Sequence, residues 1–240
     1  MPVYLSLVII LPAIAGIFAL RPLTAKIKTV LHPHPLVDYQ IKFQSLQLLL
    51  ALLTLLVVYR LNAANFVRFF RVGDLQAHIS AIAWLGVTGE ETWMQIMFTL
   101  GFFITLATAI FMFLQLKKAN IFGAGPGLGA AGWQVLAWAA IFSIANAFSE
   151  EAIFRMGIVS PLSGRAPVPV IILISGIFFG VPHYFGQPRG LVGVLMAGFL
   201  GWLLALSLVE TQGLFVAWAI HFVQDVVIIT SILLMSKHPL

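Results

Sequence analysis

Residues 148–155 read FSEEAIFR, and they sit inside a run of apolar residues, 133–160, long enough to cross a bilayer. A spanning helix needs about 20 mostly apolar residues, and each ionisable group within one costs about 2.5–3.5 kcal/mol on insertion scales. Two adjacent glutamates and an arginine therefore need a reason to be there. Helical geometry separates them. Glu151 lies four residues before Arg155, so the two share a face and can neutralise each other. Glu150 is turned about 100° away, with Asn146 and Phe154 as its facing neighbours. One carboxylate is paired and one is left over, and a leftover carboxylate suits general acid or base work.

The rest of the chain has the same character. Of 240 residues, 61% are hydrophobic and 9% charged, against about 45–50% and about 25% in a soluble domain. The class is an all-α, polytopic membrane protein. Candidate spans are 3–20, 43–61, 92–116, 133–160, 168–186, 190–209 and 213–235, joined by turn-rich segments such as SPLSGRAPVP and ETQG. The first run has no basic n-region and reads as a retained helix rather than a signal peptide. No repeat is visible, so residues 1–240 form one membrane domain. Residues 62–91 read best as an interfacial amphipathic helix, with an eighth span over 75–89 as the alternative.

With seven spans, Arg21, Lys26, Lys28, Lys42, Lys117, Lys118, Arg189 and Lys237 collect on one side, and Arg60, Arg68, Arg71 and Arg165 on the other. That bias is expected to place the C-terminus in the cytoplasm; the spans make the expected protein multi-pass, and its expected location is the plasma membrane. The net charge of +5 is spread over loops and forms no basic helix face, which argues against a nucleic-acid partner. With no cysteine, disulfides, thiolate metal sites and a cysteine nucleophile are excluded.

The four-residue spacing recurs. Phe179 and His183 share a face of FFGVPHYFG, and His221 and Asp225 a face of HFVQD. Glu150 and His183 lie about equally far from the turn near 164–166, so a hairpin brings them to one level. Pro182 is expected to kink its helix and free the carbonyl four residues back. His221 is harder to align: it lies about 12 Å along its helix, against roughly 24 Å for His183.

Together EEAIFR, FGVPH and HFVQD match the EExxxR, FxxxH and HxxxN/D motifs, in order and on consecutive hydrophobic helices. The chain resembles the CPBP family (CAAX proteases and bacteriocin-processing proteins) of glutamate-dependent intramembrane endopeptidases, over about 140–235. The resemblance implies a helical bundle around a polar, water-filled chamber, with the motif-bearing core at about 133–235. It implies that Glu150 activates water with help from His183, that Glu151 and Arg155 support the helix, and that His221 and Asp225 stabilise the oxyanion. Asn146 and Phe179 stand behind these groups. Asp225 departs from the asparagine form of the motif. An ionised Asp225 would repel an oxyanion, so it must hold a proton or orient His221 instead.

The substrate is expected to be a peptide or protein, lipidated in some relatives, met among membrane lipids. No cofactor is expected. Two histidines and two acids also fit a zinc ligand set, but there is no HExxH. Two other readings compete: a non-catalytic scaffold or self-immunity protein, and a proton-coupled transporter. The transporter needs a second polar pathway, and the first three spans read as containing none. Three decoys fail their context. Glu90 and Glu91 precede Gln95 rather than an arginine and read as a helix start. Gly127, Gly129 and Gly132 spell GxGxxG before a membrane helix, not after a strand. His32 and His34 read as loop residues.

Overall fold

A computed structural model describes residues 3–118, 132–186 and 190–236. Helices α1 (Val3–Lys26) and α2 (Pro35–Leu61) form an antiparallel pair. The HPHP stretch between them starts α2: His34 is its N-cap, with Nδ1 accepting from the Val37 amide at 3.3 Å, and Pro35 opens the first turn. That is why α2 begins earlier than its apolar run. Asn62 then closes α2 and caps the short α3 (Ala63–Phe69).

Only α3 is helical in the ambiguous 62–91 region, apart from a single 3-10 turn at Ala83–Leu85. No span-length helix covers 75–89. The segment instead folds back on itself, with Ile79 donating to the Glu91 carbonyl and Trp93 to that of Ala77. Thr92 and Gln95 then cap α4 (Trp93–Lys118) reciprocally: the Thr92 amide donates to Gln95 Oε1 at 2.7 Å, and the Gln95 amide to Thr92 Oγ1 at 3.3 Å. Glu91 accepts from the Thr88 and Gly89 amides just before it.

The motif helix is continuous but changes type. It runs as α5 (Gly132–Glu150), becomes π-helical over Glu151–Val159, and ends in one α turn, α6 (Ser160–Leu162). All residues of its π segment are buried, because α1, α2, α7 (Val168–Gly180) and α8 (Leu191–Thr211) surround it. Helix α9 (Phe215–Leu234) packs along α5 and α4.

Among the described residues, six helices are long and apolar enough to cross a membrane, and the motif helix makes a seventh pass. Contacts between ends fix their directions. Ser6 Oγ donates to the Pro161 carbonyl at 3.1 Å, and Asn65 Nδ2 to that of Ser160 at 2.9 Å, so the start of α1, α3 and the end of α6 share one side. On the other side Arg21 reaches the Phe185 carbonyl at 2.9 Å, and Ser236 Oγ lies 3.2 Å from His34 Nε2.

Small residues set the tightest contact, between α7 and α8. A methyl group on Gly180 would meet the Val194 carbonyl at 2.6 Å, and one on Gly201 would meet Phe179 at 2.8 Å. Of the stripe Ala197, Gly201 and Ala205, Gly201 takes part in this close approach, and Gly198 supplies the other small contact on α8. The GxGxxG run lies outside the described residues, except for Gly132.

Candidate active site

The π segment opens at the two glutamates. Its wider winding is sealed by i to i+5 bonding, with the Ser160 amide on the Arg155 carbonyl. Single π turns inside α-helices are frequent at functional sites. Glu151 and Arg155 are wholly buried, and Arg155 Nε lies 2.9 Å from Glu151 Oε2. The pair is close but poorly aligned, and among the described residues none of the three guanidinium nitrogens finds a hydrogen-bond partner. Instead the guanidinium lies over the Phe179 ring, 4.3 Å from its centroid. Desolvated cation–π contacts of this kind contribute about 2 kcal/mol or more. Phe179, the first residue of FGVPH, thus supports the arginine of the first motif.

His221 is the hub. Its Nδ1 lies 2.8 Å from Glu151 Oε1, and its Nε2 lies 3.6 Å from both Glu150 Oε2 and Asp225 Oδ2. The Phe179 ring packs edge-on against the imidazole at 5.5 Å. Three carboxyls therefore face one guanidinium and this imidazole.

His221 reaches this depth because the α8–α9 turn is drawn under the 70–92 segment. The Asp74 amide donates to the Thr211 carbonyl and the Leu214 amide to that of Arg71, each at 2.8 Å. Gly73 and Gly213 touch backbone to backbone: a methyl group on Gly73 would meet Gly213 Cα at 2.7 Å. Glu210 locks the cover in place, accepting from Ser80 and from Trp93 Nε1 at 2.9 Å.

Three sequence expectations are corrected. Glu150 does not pair with His183: the imidazole beside its carboxylate is that of His221. At Pro182 the helix tightens to a 3-10 helix over Val181–Phe185, which turns each residue about 20° further than an α-helix does. His183 Nδ1 then takes the Phe179 carbonyl at 2.8 Å, not the Phe178 carbonyl four residues before the proline. Asn146 does not serve Glu150 either, since its Nδ2 donates to Asp225 Oδ2 at 2.9 Å. Finally, α2 and α4 are not free of polar groups. Gln44, Gln47 and Thr108 are buried, and all three bond into this site or its immediate surroundings.

These α2 and α4 residues are what sequence reasoning missed. A signal existed: Gln44, Gln47, Ala51, Thr54 and Val58 fall at helical spacing on one buried face of α2. His183, His221 and Asp225 line one cavity of about 90 Å³, walled by apolar residues of α4 and α8 including Ile104, Met112 and Leu200. It is large enough for several waters. Among the described residues, no three His, Asp or Glu side chains form a group able to hold a metal ion. His32 packs edge-on against Trp138 at 5.3 Å, away from this cluster.

The site is a buried carboxylate–imidazole cluster inside a helical bundle. Residues 132–227 match the family model described as type II CAAX prenyl endopeptidase Rce1-like, in keeping with the CPBP resemblance. Over those residues the chain is similar to CAAX-type membrane proteases. Neither a curated protein nor a solved structure matches it at a significant level.

Proposed function

We propose that the protein is an intramembrane endopeptidase that hydrolyses a peptide bond with water activated by Glu150. The observation that carries this reading is the state of the Glu150 carboxylate. Oε1 is held by Gln47 at 3.2 Å, whereas Oε2 is buried with no hydrogen-bond donor and lies 3.6 Å from His221 Nε2. A water at Oε2 would lose its proton to Glu150 as its oxygen bonds to the substrate carbonyl carbon. The carbonyl π electrons move to oxygen, and that oxyanion is received by the Nε2–H of His221 from the cavity side, while His183, whose Nδ1–H donates to the Phe179 carbonyl, offers Nε2 as an acceptor to the water. When the tetrahedral adduct collapses, the C–N bond breaks and Glu150 returns the proton to the departing amine.

Glu151 holds His221 through Nδ1, so Nε2 is left to face the reacting groups. Asp225 takes the orienting role in this scheme. Its Oδ2 accepts from Asn146 and stands beside His221 Nε2, where an acceptor positions an imidazole better than it stabilises an oxyanion. The match to a prenyl endopeptidase family makes a lipidated C-terminal peptide the first substrate to try.

The test is hydrolysis of a fluorescence-quenched, farnesylated peptide ending in a CAAX sequence, compared with its unlipidated form, by protein in detergent. Glu150→Gln and His183→Ala are each expected to lower kcat by at least about 100-fold while remaining monodisperse. Turnover retained by both variants would overturn the reading.

A further inference from the structure

The seven motif residues all lie within the stretch that matches the family model, yet the only hydrogen bond to the Glu150 carboxylate among the described residues comes from elsewhere. It is donated by Gln47 Nε2 of α2, across 103 residues of chain. Gln47 is 1% exposed, and its partner atom belongs to the acid left over from the Glu151–Arg155 pair. We propose that Gln47 is a positioning residue: it pins Oε1 of Glu150 and so turns Oε2 toward His221 and the reacting water.

The chemistry of an amide fits this task. An arginine or lysine at 47 would also hold the carboxylate, but as an ion pair that opposes protonation. Arg155 is spent on Glu151 and Phe179. A neutral donor fixes the geometry and leaves Glu150 able to accept a proton. The orientation of the amide follows from the same reasoning, since the flipped form would set oxygen against oxygen. One turn earlier on the same face, Gln44 Nε2 donates to Asn146 Oδ1 at 3.3 Å, and Asn146 in turn holds Asp225. Helix α2 therefore steadies both acids that flank His221 Nε2.

The inference concerns the site of the proposed peptidase, and its decisive test needs no turnover. Infrared spectra of the full chain in detergent, labelled with carboxyl-¹³C glutamate, contain a Glu150 band defined by its loss in Glu150→Gln. In Gln47→Met, which keeps length and bulk but removes the donor, that band is expected to shift. It should stay in place in Leu53→Ala, a change on the exposed face of α2. Gln47→Asn, which withdraws the donor by one methylene, serves if the methionine variant does not fold. On the farnesylated peptide the Gln47 variants are expected to lose about 10- to 100-fold in kcat, as displaced catalytic groups do, with KM within about twofold. A Glu150 band unchanged in the Gln47 variant overturns the inference, and so does an unchanged kcat. A wild-type protein that leaves the peptide uncut overturns the peptidase reading instead, and the infrared shift still decides the role of Gln47.

Discussion

Arg155 carries a charge in a wholly buried position, with no hydrogen-bond partner for any guanidinium nitrogen among the described residues. Its stability rests on Glu151 and on the face of Phe179. Removing one member of such a pair leaves an uncompensated buried charge, at a cost of about 3–5 kcal/mol. Arg155→Met is therefore expected to lower the thermal unfolding temperature in detergent by several degrees. The double variant Arg155→Met/Glu151→Leu should recover part of that loss, because no lone charge remains. A double variant less stable than the single one would contradict this account. The pairing of Glu151 with Arg155 was legible in the sequence, since both ends lie on one helix at a fixed spacing. The partner of Glu150 was not, because it comes from α2 and no local spacing encodes a contact across the bundle.

At the scale of elements, the motif helix and the α7–α8 pair carry different kinds of information. The small-residue stripe on α8 marked a close approach, and the approach is there. The π segment left no such mark: EAIFRMGIV reads as an ordinary α-helix, and the wider winding depends on the packing of four neighbouring helices. Gly157 within it faces Thr54, where an added methyl group would come to 3.0 Å. The 3-10 tightening at Val181–Phe185 was half legible, since Pro182 signalled a break but not its direction. Gly201→Ala tests the helix contact. Its methyl group would press on Phe179, the ring that supports both Arg155 and His221. Overpacking of this sort costs typically about 1–3 kcal/mol, so the unfolding temperature should fall and cleavage should weaken with it. Gly201→Ala with unaltered stability would show that Phe179 has room to retreat.

For the whole molecule, seven passes place the start of α1 and the end of α9 on opposite faces of the bundle. The apolar runs announced this count, and the charge bias proposes which face is cytoplasmic. A reporter that is fluorescent only in the cytoplasm, fused after residue 240, is expected to be bright, and the same reporter before residue 1 dark. The reverse pattern would invert the topology. The irregular 70–92 cover was not legible, because its order comes from Glu210 and the α8–α9 turn rather than from its own periodicity.

The contribution of α2 has a consequence for how the protein is made. Gln44 and Gln47 meet their partners on α5 only across 102 and 103 residues of chain. At a synthesis rate of about 5–20 residues per second, α2 waits roughly 5–20 s before Asn146 and Glu150 emerge. During that interval its buried amides have no bundle to enter. The Asp38–Lys42 pair, 2.5 Å apart on the same helix, neutralises itself, but the two glutamines keep amide groups that α2 does not satisfy, since Gln44 Nε2 reaches only Gln40 Oε1, at 3.4 Å. They must shelter against α1, water or the insertion machinery until the helix that bears the glutamates arrives. The site's geometry is thus completed late in biogenesis, by a helix that enters the membrane early and half satisfied.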